Sequence, residues 1–359
     1  MTKKEITLGV GVTGVVGQTA LDLLNVLDFD FVIKDLKLFA SKSSAGKIVT
    51  VLNKKYTIEE TNLNSLEKCH AVLFATDSSI SKEYIPVLAN KGILCVDKSS
   101  AFRNDPKVPL VIPEVNKHAL FSEKNDKIKS YIVASANCVT TPLTVVASPL
   151  HKKFHLEKMI LATYQSVSGS GKNGLDTLNE ETKNFFKNEN LKQQPSTTYP
   201  KTIAFNVFPF VENLDEQGQT GEESKIIQEC KKILEHSTLL TEATSVRVPT
   251  FVGHCIAVTF SFKNKFNLDD ITQILTNSPG IEVVDVHKNT TTDEDGLNPE
   301  IEFFATARDV QGTNSVFVSR IRKTDVFENG LSLWIACDNL RKGAALNALQ
   351  IVNCVQNLL

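Results

Sequence analysis

The segment Tyr131-Ile132-Val133-Ala134-Ser135-Ala136-Asn137-Cys138-Val139-Thr140-Thr141-Pro142-Leu143 sets a cysteine between a strand and a helix. Residues 131–134 have strand character, and Leu143, Val145, Val146, Ala147 and Leu150 carry a helical apolar pattern. Pro142 suits the first helical turn, where its missing N–H removes no bond. At such a junction the backbone N–H groups and the positive end of the helix dipole favour a thiolate over a thiol. They can bring a cysteine pKa from about 8.5 into roughly the 3.5–7.5 range. The same N–H groups can hold an oxyanion once the sulfur has added to a carbonyl. The alternative is a buried cysteine at a βα turn. Ser135, Asn137, Thr140 and Thr141 argue against it, because an inert core thiol needs no polar collar. Thiolate addition to a carbonyl, with hydride exchanged with a nicotinamide, is aldehyde or acyl-phosphate redox chemistry. Such chemistry needs a proton carrier, and His254 is the candidate, although an isolated histidine is more often structural.

A nicotinamide requires a dinucleotide fold, and the chain opens like one. Residues 6–12 read as a buried strand, then Thr13-Gly14-Val15-Val16-Gly17-Gln18 turns into a helix over 19–27. Strand, glycine turn and helix together let backbone N–H groups approach a pyrophosphate. Both Gly9-x-Gly11-x-x-Gly14 and Gly11-x-x-Gly14-x-x-Gly17 fit, so the register stays open. A second strand, 36–40, ends in Ser41-Lys42-Ser43-Ser44-Ala45-Gly46-Lys47. This loop has no acid for a ribose 2′-hydroxyl but has cations and hydroxyls suited to a 2′-phosphate; a solvated loop is the alternative. Strands at 71–75 and 93–97 flank a helix over 81–90 that Gly92 caps. Ser99-Ser100-Ala101-Phe102-Arg103 follows at a strand end, where ligands of open α/β sheets collect. Arg103 there is an anion clamp or a surface cation.

The pattern changes after the cysteine. Residues 159–167 read as a strand, 168–174 as a flexible loop, 177–188 as a helix, and 189–200 as a polar loop. Glu222-Glu223-Ser224-Lys225 opens a helix to about 234, and long strands occupy 243–262. A helix at 268–276, a strand at 281–286 and a loop at 287–299 follow. Residues 316–325 and 331–336 read as hairpin partners, and 342–358 as a closing helix.

At 359 residues, two domains are expected. Apolar content of 42% with 22% charged residues describes a globular protein. With 39 basic and 41 acidic residues, neither a nucleic-acid nor a membrane-surface partner is expected. The N-terminus carries no signal-like apolar run, and no stretch reaches transmembrane length. Seven scattered cysteines without a CxxC pair indicate neither a disulfide framework nor a metal site. A reducing, cytoplasmic location is expected.

Taken in order, Gly11-Val12-Thr13-Gly14-Val15-Val16-Gly17, Ser99 to Arg103, Asn137-Cys138-Val139-Thr140-Thr141 and Tyr164-Gln165-Ser166-Val167-Ser168-Gly169 form a series. Glu222 to Lys225, Arg247-Val248-Pro249, His254 and Asp338-Asn339-Leu340-Arg341-Lys342-Gly343-Ala344-Ala345 continue it, with Asn347 beyond. The series resembles the aspartate-β-semialdehyde dehydrogenase family over essentially the whole chain. The resemblance implies an α/β fold, with a Rossmann-type dinucleotide-binding domain (1–137, completed by 338–359) and a central α+β catalytic and dimerisation domain (138–337). It implies reduction of aspartyl phosphate to aspartate semialdehyde and phosphate with NADPH, toward lysine, methionine and threonine, in a homodimer or homotetramer.

By this resemblance Cys138 is the nucleophile, His254 the general acid/base, and Gln165 a substrate-orienting group. Arg247 takes the substrate α-carboxylate as a bidentate fork, Glu222 the α-ammonium, and Arg103 with Lys225 the phosphate, while Asn137 supports the reacting groups. Cofactor contacts are expected from Gly11, Thr13, Gly14, Val15, Val16, Ser41, Ser43, Ser44, Ser168, Gly169 and Asn347. Two positions depart from the family pattern: Ala136 stands where proline is frequent, and Ser43 where an arginine usually meets the 2′-phosphate. NADP is therefore expected with NAD as a weaker alternative. N-acetyl-γ-glutamyl-phosphate reductase shares the mechanism, but its acylated substrate would leave Glu222 without a purpose. A non-catalytic dinucleotide sensor would have no use for Cys138, His254, Gln165, Arg247 and Glu222 together.

Overall fold

The computed structural model describes residues 3–12, 14–123, 127–188, 195–284 and 304–359. Thr13, residues 189–194 of the expected polar loop, the strand end at 285–286 and the loop expected at 287–299 lie outside the described residues. Two compact units make up the chain: Met1–Cys138 with Gly343–Leu359, and Val139–Lys342.

The first unit is a twisted, almost wholly parallel sheet. Its elements are β1 (Lys4–Gly11), α1 (Val15–Val26), β2 (Phe31–Ala40), β3 (Ile48–Val51), β4 (Lys54–Glu60), α2 (Leu63–Leu66), β5 (Ala71–Phe74), α3 (Ser78–Asn90), β6 (Leu94–Asp97), β7 (Leu110–Val111), α4 (Pro113–Asn116) and β8 (Ile132–Ser135). The strand order is β3-β4-β2-β1-β5-β6-β8-β7, and only the β3–β4 pair is antiparallel. Strands buried on both faces need continuous apolar runs, and β5 and β6 are buried at every position. The order reverses at β1, so a crevice opens at the C-terminal end of that strand.

That end settles the glycine register. A Cβ on Gly9 would meet the Phe39 ring at 2.9 Å, so this glycine serves packing inside β1. Gly14 occupies the N-cap of α1, and a Cβ on Gly17 would come 2.1 Å from the Gly11 carbonyl oxygen. The turn is therefore Gly11-x-x-Gly14-x-x-Gly17. The helix starts at Val15, four residues before the expected position. Helix α3 starts at Ser78 and ends as expected, with Gly92 at φ +78°. The β3–β4 hairpin was not expected; Leu52 and Asn53 turn it at φ 50° and 59°, without the Asn-Gly pair that marks such turns in sequence.

The second unit contains α5 (Thr140–Phe154), β9 (Leu156–Gln165), α6 (Gly171–Asn188), α7 (Gly221–Ile233), β10 (Leu240–Arg247), β11 (His254–Phe262), α8 (Leu268–Thr276), β12 (Ile281–Val283), β13 (Val316–Thr324) and β14 (Gly330–Cys337). Its mixed sheet runs β10-β9-β11-β14-β13-β12, with the expected β13–β14 hairpin antiparallel. Helices α5, α7 and α8 pack against the sheet. On its other face Ile160, Tyr164 and Leu240 are exposed, with Trp334 half-buried against Tyr164. Residues 168–174 are not the expected loop. Val167–Ser170 form a 3-10 turn, and Gly171 already begins α6. Gly174 is there for closeness, since a Cβ would lie 2.2 Å from the Val167 oxygen.

The closing segment returns to the first unit. Expected as one helix, it is a π turn (Arg341–Ala345), then α9 (Leu346–Val355), then a 3-10 turn. Leu346, Leu349, Val352 and Val355 join the core of Ile6, Leu8, Val10 and Leu21. Asp338 to Lys342, expected with this segment, belong to the second unit. Asp338 accepts the Gly312 N–H at 2.8 Å, and Asn339 accepts that of Gly253 at 2.9 Å.

Where α5 ends, the His151 and His236 rings stack at 4.9 Å and His155 stands edge-on at 6.3 Å. His151 Nδ1 accepts the Leu156 N–H at 3.1 Å. Burial lowers its pKa below the ordinary histidine value, and His236, His155 and Lys152 lower it further. The folded chain then binds fewer protons than the unfolded one. Its stability is complete above about pH 6.5 and declines as pH falls through the lowered His151 value. In thermal melts from pH 7 to pH 5, Tm should fall less in His151→Asn than in the wild type; equal slopes would contradict this.

Candidate active site

In the first unit the cysteine turn is braced from two sides. β8 ends at Ser135, and Cys138 is half-buried two residues before α5. A Cβ on Gly343 would come 3.0 Å from the Cys138 carbonyl oxygen, so the π turn packs backbone to backbone on the cysteine turn. Asn347, wholly buried, donates through Nδ2 to the Ser135 hydroxyl at 2.9 Å and to the Val111 carbonyl at 3.1 Å. On the other side, the loop after β6 is pinned by buried Asp97. Its carboxylate accepts the Ser81 hydroxyl at 2.8 Å, the Ser99 N–H at 3.0 Å and the Ser99 hydroxyl at 2.8 Å. Arg103, 6% exposed, donates through Nη2 to the Lys98 carbonyl at 2.6 Å, and the Lys98 ammonium donates to the Ala136 carbonyl.

Among the described residues of the first unit, the glycine turn leaves room for a dinucleotide. A Cβ on Gly14 would meet nothing within 4 Å, which leaves the mouth of the turn open to a pyrophosphate at the N-terminus of α1. Val15 and Val16 begin that helix. Ser41, Lys42 and Ser43 are exposed in the turn after β2, where the Ser41 and Ser43 hydroxyls lie 3.0 Å apart. Gly11 pairs with Phe39 across β1 and β2, so this serine turn lies beside the glycine turn. Asn347 Oδ1 is buried with no hydrogen-bond partner among the described residues, an acceptor left over for a ligand amide. Its donors are committed to the fold.

The second unit gathers the remaining candidates at one end of its sheet. Gln165 ends β9, Arg247 ends β10 directly beside it, and His254 begins β11. Gln165 accepts the Thr163 hydroxyl at 3.0 Å and donates to Glu222 at 2.9 Å. The two acids opening α7 divide their work. Glu223 closes a capping box with Thr220 and also accepts the Ser245 N–H at 2.7 Å, whereas Glu222, 4% exposed, faces Gln165. Lys225, one turn on, pairs with Glu212 and lies 3.8 Å from Glu222, so the shared face read from their spacing is present.

Arg247 donates through Nη1 to the Ser166 carbonyl at 2.7 Å. A Cβ on Gly169 would come 2.8 Å from that Nη1 and 3.5 Å from His254 Nε2, so only glycine lets the 166–169 turn close over both groups. His254 Nδ1 accepts the Ser166 N–H at 3.1 Å, which places the proton of the neutral ring on Nε2. Nε2 is buried and has no hydrogen-bond partner among the described residues. Burial, then the charge of Arg247, depresses the His254 pKa to about 3. The ring is therefore neutral at physiological pH, an N–H donor awaiting an acceptor.

Three side chains, one in the second unit and two in the first, carried no role in the sequence. Asn339 Oδ1 accepts the Gly253 N–H at 2.9 Å and the Ser166 hydroxyl at 3.2 Å, and its Nδ2 donates to Ser168 at 3.0 Å. It thus ties the residue before His254 to the turn that holds Nδ1, and the Ser168 side chain is part of the same network. Asp97 and Lys98 organise the other unit's loop. Their only sequence signal was adjacency to Ser99–Arg103, and a carboxylate that accepts hydrogen bonds from a turn looks like any other in sequence.

Residues 9–123 match the family described as semialdehyde dehydrogenase, NAD binding domain, and residues 147–342 the one described as semialdehyde dehydrogenase, dimerisation domain. The aspartate-semialdehyde dehydrogenase of Rickettsia bellii is 38% identical over 98% of this chain and 97% of its own. That of Aquifex aeolicus is 36% identical over 95% of each. The solved structure of aspartate semialdehyde dehydrogenase II from Vibrio cholerae complexed with ASA superposes with a TM-score of 0.88, at 30% identity over 99% of both chains.

Proposed function

The chain belongs to the semialdehyde dehydrogenase family, and on that premise we propose that it reduces L-aspartyl 4-phosphate to L-aspartate 4-semialdehyde and phosphate, within the aspartate pathway of amino-acid biosynthesis. The observation that carries the substrate choice is the Gln165–Glu222–Arg247 set. A buried acid and a buried guanidinium lie at one sheet end, matched to the ammonium and carboxylate of an amino acid. The Cys138 thiolate adds to the acyl carbon, phosphate leaves, and a thioester forms on sulfur. The reduced nicotinamide nucleotide supplies the hydride. His254 Nε2–H hydrogen-bonds the resulting oxyanion, which collapses to the aldehyde and returns the thiolate. A neutral donor suffices for this sequence, because the oxygen gains and loses charge without keeping a proton. A substrate carboxylate on Arg247 offsets the cation that depresses His254. Asn137 supports the reacting groups, and Arg103 with Lys225 receives the phosphate.

N-acetyl-γ-glutamyl-phosphate reductase chemistry is the rival. Its substrate has no ammonium for Glu222, which the fold buries beside Gln165. The test is phosphate-dependent reduction of NADP⁺ with aspartate semialdehyde, run beside N-acetylglutamate semialdehyde. Turnover is expected with the first alone; turnover with the second alone would replace this reading.

The paired roles of Glu222 and Lys225 separate kinetically. Lys225→Ala should raise KM for phosphate more than KM for the semialdehyde, and Glu222→Ala should do the reverse. Equal effects on both substrates would reduce the pair to a helix-start ornament.

NADP is the proposed cofactor, with NAD accepted less well. The turn after β2 offers hydroxyls and Lys42 as an exposed point charge instead of an arginine fork. Such a contact is worth about 1 kcal/mol, a preference of roughly fivefold. Ser43→Arg should sharpen the NADP preference in kcat/KM, most visibly at low salt; no gain would mean the 2′-phosphate sits elsewhere. We further propose a homodimer or homotetramer, supported by the apolar face on which Ile160, Tyr164 and Leu240 stay exposed among the described residues. No helix among the described residues is long and apolar enough to cross a membrane, and a cytoplasmic location is proposed.

A further inference from the structure

Lys98 stands where β6 runs into the Ser99–Arg103 loop, and it is held at both ends. Its carbonyl accepts from Arg103 at 2.6 Å, and the residue before it, Asp97, is anchored by three hydrogen bonds. Its half-buried ammonium reaches across to the Ala136 carbonyl. Ala136 is two residues from Cys138. With consecutive Cα atoms 3.8 Å apart, a cation on that carbonyl lies within about 12 Å of the sulfur.

We propose that Lys98 is a positioning residue for the nucleophile: its ammonium favours the Cys138 thiolate, and its bond to Ala136 fixes the turn that presents it. The inference rests on Cys138 being the nucleophile. A unit charge at about 12 Å with an effective dielectric near 20 shifts the thiol–thiolate balance roughly tenfold. The start of α5 and the Lys98 charge then act on the sulfur together. Neutral residues at this position could still brace the turn; only a cation can do the electrostatic part.

The test is the pH profile of iodoacetamide alkylation at Cys138, followed by peptide mass spectrometry on the whole protein without substrate or nucleotide. Wild type is compared with Lys98→Met, Lys98→Gln and Lys98→Arg. In the Met and Gln variants the midpoint should rise by about one pH unit, with roughly tenfold slower alkylation below it and an unchanged plateau above. Lys98→Arg should keep the wild-type profile. Glutamine can still donate to the Ala136 carbonyl, so it separates charge from bracing, and it decides the matter if the Met variant does not fold. A wild-type midpoint well below 8.5 that Lys98→Gln leaves in place would overturn the inference alone, including the case in which KM for phosphate rises and Lys98 is a phosphate ligand. A wild-type midpoint near 8.5, that of an ordinary thiol, would overturn the reading of Cys138 as an activated nucleophile and this inference with it.

Discussion

Replacing Cys138 by alanine should lower turnover by on the order of 10⁴–10⁶-fold while leaving the fold and nucleotide binding in place. Losing a nucleophile that forms a covalent intermediate removes the low-energy route altogether, and losses of that size are seen when other enzymes lose theirs. The side chain is small and only half-buried, so its removal opens little volume. Circular dichroism and thermal melting should match the wild type. Cys69, Cys95, Cys230 and Cys255 offer no substitute, because burial raises each thiol well above its ordinary pKa. Each should be dispensable for chemistry. Substantial activity in Cys138→Ala would remove the covalent step from the mechanism.

His254→Asn should lower kcat by about 10²–10³-fold with little change in KM, the cost of one donor to a developing oxyanion. Because burial and Arg247 hold His254 near pKa 3, its ring does not titrate between pH 5 and 9. The acid limb of kcat/KM should therefore be the same in wild type and in His254→Asn. Arg247→Lys keeps the charge but loses the fork, so its main effect should be weaker substrate binding. A pH limb that disappears with His254, or a His254 effect confined to KM, would mean that the imidazole exchanges protons or binds substrate instead.

The parts of the fold that sequence exposed are those set by periodicity and turn chemistry. The β1–turn–α1 unit, the cap at Gly92 and the β13–β14 hairpin each follow from local residue types. The parts that stayed hidden are set by contacts distant in the chain. Gly174 reads as flexibility but answers the Val167 carbonyl, and Gly9 reads as a phosphate glycine but answers the Phe39 ring. The β3–β4 hairpin turns on Leu52 and Asn53, which carry no turn signature. At the site, residue types pointed to Cys138 and His254, and the family resemblance added Arg247, Gln165 and Glu222. What they could not convey is protonation and orientation. His254 carries the expected role of general acid/base, and only the fold shows that burial, the neighbouring Arg247 and the Ser166 N–H on Nδ1 leave the ring neutral with its proton on Nε2. Glu222 and Glu223 are adjacent and identical in sequence, and only packing turns one toward Gln165 and the other to the helix cap.

The most direct measurement is the mass of the Cys138 peptide after the wild-type protein is mixed with aspartyl phosphate in the absence of nucleotide. The account predicts a hydroxylamine-labile aspartyl thioester on Cys138 and on no other cysteine, which disappears when reduced nucleotide is added as aspartate semialdehyde forms. Semialdehyde formed at the normal rate with no adduct on Cys138, or an adduct on another residue, would contradict it.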